Sequence, residues 1–265
     1  MKRITGILTR PDMVQQLLEV GFDYYNLPST DGSYYWSDNI AYEFTLAEID
    51  KIEDATNELH AMCMDFVADE VKQGDYERYR FTDLQKNLIE HSWRENAPHL
   101  YGRFDFGYDG DNLKMFEYNA DTPTSLLEAA VVQWQWLEQA EGLPNRDQFN
   151  WIHEELITRF SVLQQQSGKT GFHFAAMADA GREDWGNLDY LADVAYNAGW
   201  HIHRLTIEDI GYDSDTQQFV DLNNQPIEAL FKLYPLEWMT TTEYAPYMLK
   251  SATQFFEPAW KLLLS

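Results

Sequence analysis

One stretch of the sequence, residues 103–123, alternates polar and aromatic side chains around a turn-rich centre. It reads RFDFGYDGDNLKMFEYNADTP, and its Asp/Gly/Asn-rich middle predicts a β-hairpin. Side chains at positions i and i+2 of a strand point to the same face, so Arg103 and Asp105 share one face of the first arm. The matching polar residues of the second arm are Glu117, Asn119 and Asp121. The hairpin therefore carries carboxylates, an amide and a guanidinium on one side and aromatic residues on the other.

The two polar sets meet on one face only in one of two registers. A loop with an odd number of residues centred on Asp111 places Asp105 opposite Glu117, and Arg103 opposite Asn119. A two-residue Gly110-Asp111 turn would send the two sets to opposite faces. A shared site requires the first register, and an ordinary exposed hairpin is the alternative.

Oxygen-rich side chains of this kind suit a hard divalent cation. Mg²⁺ prefers one or two carboxylates together with waters and substrate phosphates. Asp105, Glu117 and Asn119 could supply the protein ligands, and Arg103 would then meet a phosphoryl group. The pair at 201–203 (HIH) places two imidazoles on one strand face, but the sequence offers no obvious third ligand. Neither GxxxxGK[ST] nor GxGxxG is present.

Composition limits the classes of partner. Among 265 residues, 19 Lys and Arg face 44 Asp and Glu, giving a net charge of −25. Such a field repels nucleic acid and anionic membranes and attracts Mg²⁺ and polyamines, although a merely soluble acidic protein would carry the same charge. There is no apolar run long enough to span a membrane, and the first residues have no apolar stretch of the kind found in secretory signals, so a signal is not expected. With Cys63 as its single cysteine, the chain is expected in the cytoplasm.

Periodicity along the chain predicts an α/β fold. We predict helices over residues 11–22, 45–72, 82–94, 125–141 and 147–166. The apolar run 172–178, a helical segment and the alternating run 201–207 predict strand, helix and strand, hence a parallel pair. A further hairpin is predicted through Asn223-Asn224. The apolar end of the chain, FFEPAWKLLLS, is expected to be either a docked helical terminus or the point of a truncation.

Two of these segments resemble a known enzyme family. GRFDF (102–106) and FEYNADTPTSLLEA (116–129) are similar to the glutathionylspermidine synthetase and trypanothione synthetase family of ATP-grasp acid–amine ligases. The resemblance continues through residues 177–200 and 231–238 to EPAWK (257–261). It implies a preATP-grasp-like βαβ layer and an antiparallel hairpin of a partial ATP-grasp synthetase domain at 101–265, continuous with a mainly helical N-terminal region at 1–100. No amidase domain precedes the hairpin, so the chain looks like the stand-alone synthetase-like members.

The resemblance implies an activity and a cofactor set. A substrate carboxylate attacks the γ-phosphate of ATP to give an acyl phosphate, and an amine displaces phosphate to form an amide. By this likeness Arg103 stabilises the transferring phosphoryl group, and Arg103, Phe104 and Asp105 contact ATP. Asp105, Glu117 and Asn119 would hold two Mg²⁺ ions.

The same resemblance implies the substrate positions. Four residues lie where the family's acid substrate sits: Asp121, Thr122, Thr124 and Ser125. Glu183 and Asp184 match an acidic pair facing the amine, although acidic residues are also favoured at any helix N-terminus. Lys232 either pairs with a substrate carboxylate or simply flanks a strand. The partners would be a small carboxylic acid or peptide and an amine, polyamines included.

Family members continue past EPAWK into the adenine pocket, the phosphate-contacting Lys and Arg and a glycine-rich lid. The chain alone is therefore expected to hold the metal-binding part of a site without completing a turnover. A non-catalytic acidic protein that binds polyamines or cations is the main alternative, and a purely structural fragment is the other.

Overall fold

The computed structural model describes residues 1–28, 32–143 and 145–264. Its α-helices are α1 (Met13–Glu19), α2 (Leu46–Gln73), α3 (Asp83–Arg94), α4 (Gln133–Gln139), α5 (Ile152–Ser167), α6 (Arg182–Asn197) and α7 (Leu236–Met239). Its strands are β1 (Lys2–Thr5), β2 (Ile40–Glu43), β3 (Arg103–Tyr108), β4 (Leu113–Asn119), β5 (Gly171–Ala176), β6 (His201–Thr206), β7 (Gly211–Asp213), β8 (Gln218–Val220), β9 (Ala229–Leu233) and β10 (Gln254–Phe256). The mixture confirms the predicted α/β class.

A parallel sheet organises the second half of the chain. Its strand order is β10-β9-β5-β6, and each neighbouring pair is parallel. Helix α6 connects β5 to β6, which confirms the predicted strand–helix–strand unit. Because the carboxyl ends of parallel strands meet at one edge of a sheet, the loops that follow β5 and β9 lie close together there.

Alternate residues of β5 supply two separate apolar cores. Phe172 and Phe174 pack in one core with residues of α5 and α6. Ala175 belongs to the other core, with Leu88 of α3 and Trp260 near the end of the chain. The sheet is thus covered on both faces, as a parallel sheet requires. None of the helices in the described ranges is long and apolar enough to cross a bilayer.

The two best-capped helices begin and end close to where the sequence predicts. Thr45 and Glu48 form a capping box at the start of α2, and Gly74 ends it in the left-handed conformation, with φ of 67°. Thr82 and Gln85 form the same box at the start of α3. These ends follow the prediction because a cap depends only on residues three or four positions away.

Other predicted helices are shorter than expected. The helix predicted over 125–141 is a π-helical segment, Glu128–Val132, followed by α4. Ser125 adopts a positive φ of 71°, which a regular helix cannot include. The helix predicted from 147 begins at Ile152, because the side chains of Asp147 and Gln148 bind nearby backbone N–H groups instead. The helix predicted over 11–22 spans only Met13–Glu19.

The hairpin predicted through Asn223-Asn224 is reduced to a tight antiparallel turn with no second strand of its own. β8 pairs with β7, and β9 joins the parallel sheet. A single bridge, Val220 to Pro226, spans the Asn-Asn turn. Two backbone hydrogen bonds flank this bridge, from the Ile227 N–H to the Phe219 carbonyl and from the Asp221 N–H to the Gln225 carbonyl, after which the chain leaves β8 and enters the parallel sheet.

Buried charges join the end of the chain to the start of β3. Lys261 and Glu257 are both fully buried and 2.6 Å apart. The Glu257 carboxylate accepts the N–H groups of Leu100 and Tyr101, and the Lys261 ammonium donates to the Tyr101 carbonyl. Burial lowers the pKa of Lys261, and Glu257 opposes that change. The pair anchors residues 100–101, which lead directly into the hairpin.

Replacing Lys261 by Met leaves the Glu257 carboxylate buried without its cation. We expect the free energy of unfolding to fall by about 3–5 kcal/mol, measured by urea denaturation. Lys86→Met is the matched control, because Lys86 pairs with the exposed Asp83 at the surface, where a pair contributes roughly 0–1 kcal/mol. Equal losses in the two variants would contradict this account of the buried pair.

Candidate active site

The polar faces of β3 and β4 do meet in the structure. Arg103 lies opposite Asn119, and Asp105 lies opposite Glu117, as a shared site requires. The predicted loop is wrong, however, because Tyr108 pairs with Leu113 across a four-residue turn, 109–112. The Asp109 carboxylate fixes that turn by accepting the N–H groups of Asp111 and Asn112.

A β-bulge reconciles the turn with the site. The register shifts between Asp105 and Phe106, and Phe116 is the extra residue on β4. Its ring leans over Gly107, where a Cβ atom would come within 2.6 Å of it. One inserted residue exchanges the two faces of a strand, so the bulge returns Glu117 and Asn119 to the side of Asp105.

Arg103 ties the carboxylates of the hairpin together. Its Nε donates to Asp105 Oδ1 at 2.7 Å, and its Nη2 lies 3.1 Å from Asp105 Oδ2 and 3.4 Å from Glu117 Oε1. Its Nη1 donates to Thr124 Oγ1 at 3.3 Å. The hydrogen bond to Asp105 raises the pKa of Arg103, so the guanidinium is permanently charged.

The donor set fits a hard divalent cation. Asp105 and Glu117 are partly exposed, and their oxygens face the same side of the hairpin. The Asn119 amide oxygen accepts the Thr122 N–H, which orients it and leaves its second lone pair for a cation. Carboxylate and amide oxygens are ligands that Mg²⁺ accepts.

Phe104 lies on the other side of the hairpin. Its ring stacks on Tyr118, with ring centroids 4.1 Å apart, and on Phe106. A nucleotide on the polar face would therefore meet the backbone of Phe104 and not its ring.

The segment that follows β4 runs from the hairpin to the sheet. Asp121 is buried, with Oδ1 2.6 Å from the Lys232 ammonium and Oδ2 accepting the Leu236 N–H at 2.7 Å. Lys232 is itself fully buried at the end of β9. In this structure, each of the two charges has the other as its partner.

Thr124 links the hairpin to helix α6. Its hydroxyl accepts from Arg103 and donates to Glu183 Oε1 at 3.2 Å. Ser125 follows in the left-handed conformation, and the next N–H, of Leu126, donates to Asn187. Arg103, Thr124 and Glu183, which lie far apart in sequence, are thus connected by hydrogen bonds.

A cleft of about 250 Å³ opens at the carboxyl ends of β5 and β9. It is lined by Thr122, Met177, Ala180, Asp184, Leu233, Tyr234, Pro235 and Trp238. Burial, and then the neighbouring Glu183, raise the pKa of Asp184. The cleft offers aromatic and apolar walls together with the Asp184 carboxylate, a surface suited to an organic cation.

Glu128 is a further residue near the site that is not among those predicted from the sequence. This carboxylate is buried, and its Oε1 accepts the Tyr35 hydroxyl at 2.7 Å. Its Oε2 has no hydrogen-bond partner within the described ranges. Burial raises the pKa of Glu128 and of the nearby Tyr24 and Tyr35. In the sequence, Glu128 is the one charged residue in the apolar run LLEAAVV, and this is the feature that could have indicated a buried carboxylate.

Glu128→Gln retains the acceptor for Tyr35 and removes the buried charge. Below the ordinary pKa of 4.5, the Glu128 carboxyl is protonated in the folded and in the unfolded protein. Above its raised pKa, the carboxyl is ionised in the folded protein too, which then bears the full free-energy cost of a buried charge. The free energy of unfolding of the wild type therefore falls as the pH rises. The free energy of unfolding of Glu128→Gln relative to wild type should grow from about pH 4 to about pH 8.

Urea unfolding at both pH values measures this difference, with the exposed Glu138→Gln as control. An advantage of Glu128→Gln that stays constant or shrinks with rising pH would show that the carboxylate is stabilised in the folded state.

Comparison with known proteins identifies a family and several relatives of this chain. The family model for the glutathionylspermidine synthase preATP-grasp domain matches residues 4–265. The chain is 77% identical over 265 residues to a Haemophilus influenzae protein named "Putative acid--amine ligase", covering 100% of this chain and 67% of that one.

Two more distant relatives are named as a trypanothione synthetase and a glutathionylspermidine synthetase/amidase. The chain is 36% identical over 243 residues to a Crithidia fasciculata trypanothione synthetase, covering 78% of this chain and 35% of that one. It is 27% identical over 210 residues to the Escherichia coli bifunctional glutathionylspermidine synthetase/amidase, covering 74% of this chain and 31% of the relative. The chain thus spans about a third of these longer proteins, and it belongs to the glutathionylspermidine synthase preATP-grasp family.

Proposed function

We propose that this chain carries the metal-binding and substrate-binding part of an ATP- and Mg²⁺-dependent acid–amine ligase. The observation that carries the proposal is the shared face of Arg103, Asp105, Glu117 and Asn119, which the β-bulge at Phe116 brings together. The family and the ligase names of its relatives support the reaction class. The reaction would consume ATP, an acid and an amine and yield an amide, ADP and phosphate by way of an acyl phosphate.

The hairpin would bind the nucleotide phosphates. Asp105, Glu117 and Asn119 would hold two Mg²⁺ ions, which, when bound, neutralise phosphate charge and polarise the transferring phosphoryl group. Arg103 would exchange part of its contact with Asp105 for the phosphoryl oxygens, since its five donors can serve both. Residues 101–265 would supply these groups, and residues 1–100 would support them.

The two substrates would meet at the carboxyl edge of the sheet. Thr122, Thr124 and Ser125 follow the hairpin directly and would contact the acid. Glu183 and Asp184 would attract the amine towards the cleft beside Trp238. Asp121 and Lys232 bind each other, so we infer that they contribute mainly by positioning these loops, and Lys232 would reach a substrate carboxylate only by leaving Asp121.

A non-catalytic polyamine-binding protein is the second candidate. The net charge of −25 and the acidic cleft favour it, because both attract polycations without any nucleotide. The two candidates differ in whether the hairpin responds to Mg²⁺ and ATP.

Asp105→Asn tests the hairpin. We expect calorimetry on the 265-residue chain to detect Mg²⁺-dependent ATP binding that this substitution weakens by about 10-fold or more, equivalent to ~1.4 kcal/mol, because a metal ligand loses its charge. Asp111→Asn, at the tip of the same hairpin, makes the same change in charge away from the ligand face and should bind as wild type does. No Mg²⁺-dependent binding, or equal loss in both variants, would contradict the proposal.

Asp184→Asn tests the cleft. We expect it to weaken binding of spermidine, used as a probe amine, by about 3-fold to 10-fold, because a partly buried carboxylate is lost. Asp193→Asn removes the same charge from an exposed position on helix α6, and it should reduce spermidine affinity only slightly. Arg103→Ala separates the two candidates: a ligase loses its Mg²⁺-ATP response, whereas a polyamine-binding protein keeps spermidine binding and never shows that response.

A further inference from the structure

A second cluster of ligand-type side chains lies on the parallel sheet, at a distance in sequence from the hairpin. His173 of β5 pairs in register with His203 of β6, and Asp221 lies in the turn after β8. Each of the three residues offers one ligand atom, and these atoms all lie within 4.8 Å of one another. Neither the hairpin nor the substrate cleft uses any of these residues.

His173 is unusual because it is buried and its ring nitrogens have no hydrogen-bond partner among the described residues. Its side chain is 2% exposed, and neither ring nitrogen makes a hydrogen bond within the described ranges. A neutral imidazole carries one N–H donor and one acceptor, and leaving such groups unpaired in a protein interior is costly. A ligand at this position would satisfy a nitrogen that the surrounding protein does not.

Asp221 is held in place by its own turn. Its Oδ1 accepts the N–H groups of Asn223 and Gln225, both at 2.8 Å. Those bonds orient the carboxylate, as ligating carboxylates commonly require.

His203 completes the cluster from the exposed edge of the sheet. Its ring stacks on that of His173, with centroids 4.5 Å apart and planes 15° from parallel. Because His203 is exposed, its ring is able to turn out of the stack and direct a nitrogen towards the other two ligands. The exposed side also gives a metal ion a route from solvent.

We propose that His173, His203 and Asp221 bind one transition-metal ion of the Zn²⁺ type. Two imidazoles and one carboxylate are a ligand set that Zn²⁺ accepts, with a fourth position left for water. The hairpin offers oxygen donors alone, which Mg²⁺ prefers, so the two sites would select different metals. An ion here would join β5, β6 and the turn after β8, and would therefore stabilise this part of the fold.

The experiment uses the untagged 265-residue chain, with excess Mg²⁺ present to occupy oxygen-only sites. We expect calorimetry to show one Zn²⁺ bound per chain and Co²⁺ to give the intense visible absorption of a four-coordinate site. His203→Gln changes an exposed residue, so folding is retained, and it should weaken both signals by about 10-fold or more. Asp221→Asn should act in the same direction.

His201→Gln is the matched control. His201 is exposed two residues away on the same strand and lies opposite Gly171, outside the cluster. It should bind Zn²⁺ as wild type does, and Zn²⁺ should raise the melting temperature of wild type and of this control but not of His203→Gln. No stoichiometric Zn²⁺ binding, or equal binding by His203→Gln and wild type, would overturn the proposal and leave His173 as a buried, stacked histidine.

Discussion

The contact between Asp121 and Lys232 determines where the candidate site lies. Asp121 follows the hairpin, whereas Lys232 ends a central strand of the parallel sheet, 111 residues later. Because the other oxygen of Asp121 accepts the Leu236 N–H, one carboxylate joins β4, β9 and the start of α7. Two charges buried together add little net stability, but each would be costly alone, so the arrangement strongly disfavours any other docking of the hairpin.

The Glu257–Lys261 pair acts on the other strand of the hairpin, at the same open end. It holds residues 100 and 101, just before β3, while Asp121 holds the residues just after β4. Asp121 and Lys232 both influence the pKa of Lys261, so the two pairs form one network of buried charges. With both strands of the hairpin held at its open end, the exposed side chains of its polar face have a defined position relative to the sheet.

The two candidate metal sites differ in how the fold presents them. The hairpin gathers oxygen atoms on an open surface, with Arg103 balancing their charge. The sheet brings two imidazoles together from adjacent strands, and one of them is deeply buried. Hard oxygen donors favour Mg²⁺, whereas nitrogen donors favour Zn²⁺ and similar ions, so the two proposed sites would select different metals.

The sequence by itself determined features that depend on near neighbours. These include the alternation of β3 and β4, the capped starts of α2 and α3, the strand–helix–strand unit and the motif residues Arg103, Asp105, Glu117 and Asn119. Only the tertiary structure decided the bulge at Phe116, the burial of Glu128, the pairing of Asp121 with Lys232 and the meeting of His173 with His203 and Asp221. The reason is physical: periodicity and caps act over three or four residues, whereas these contacts depend on strand order and register, which bring together residues far apart in the chain.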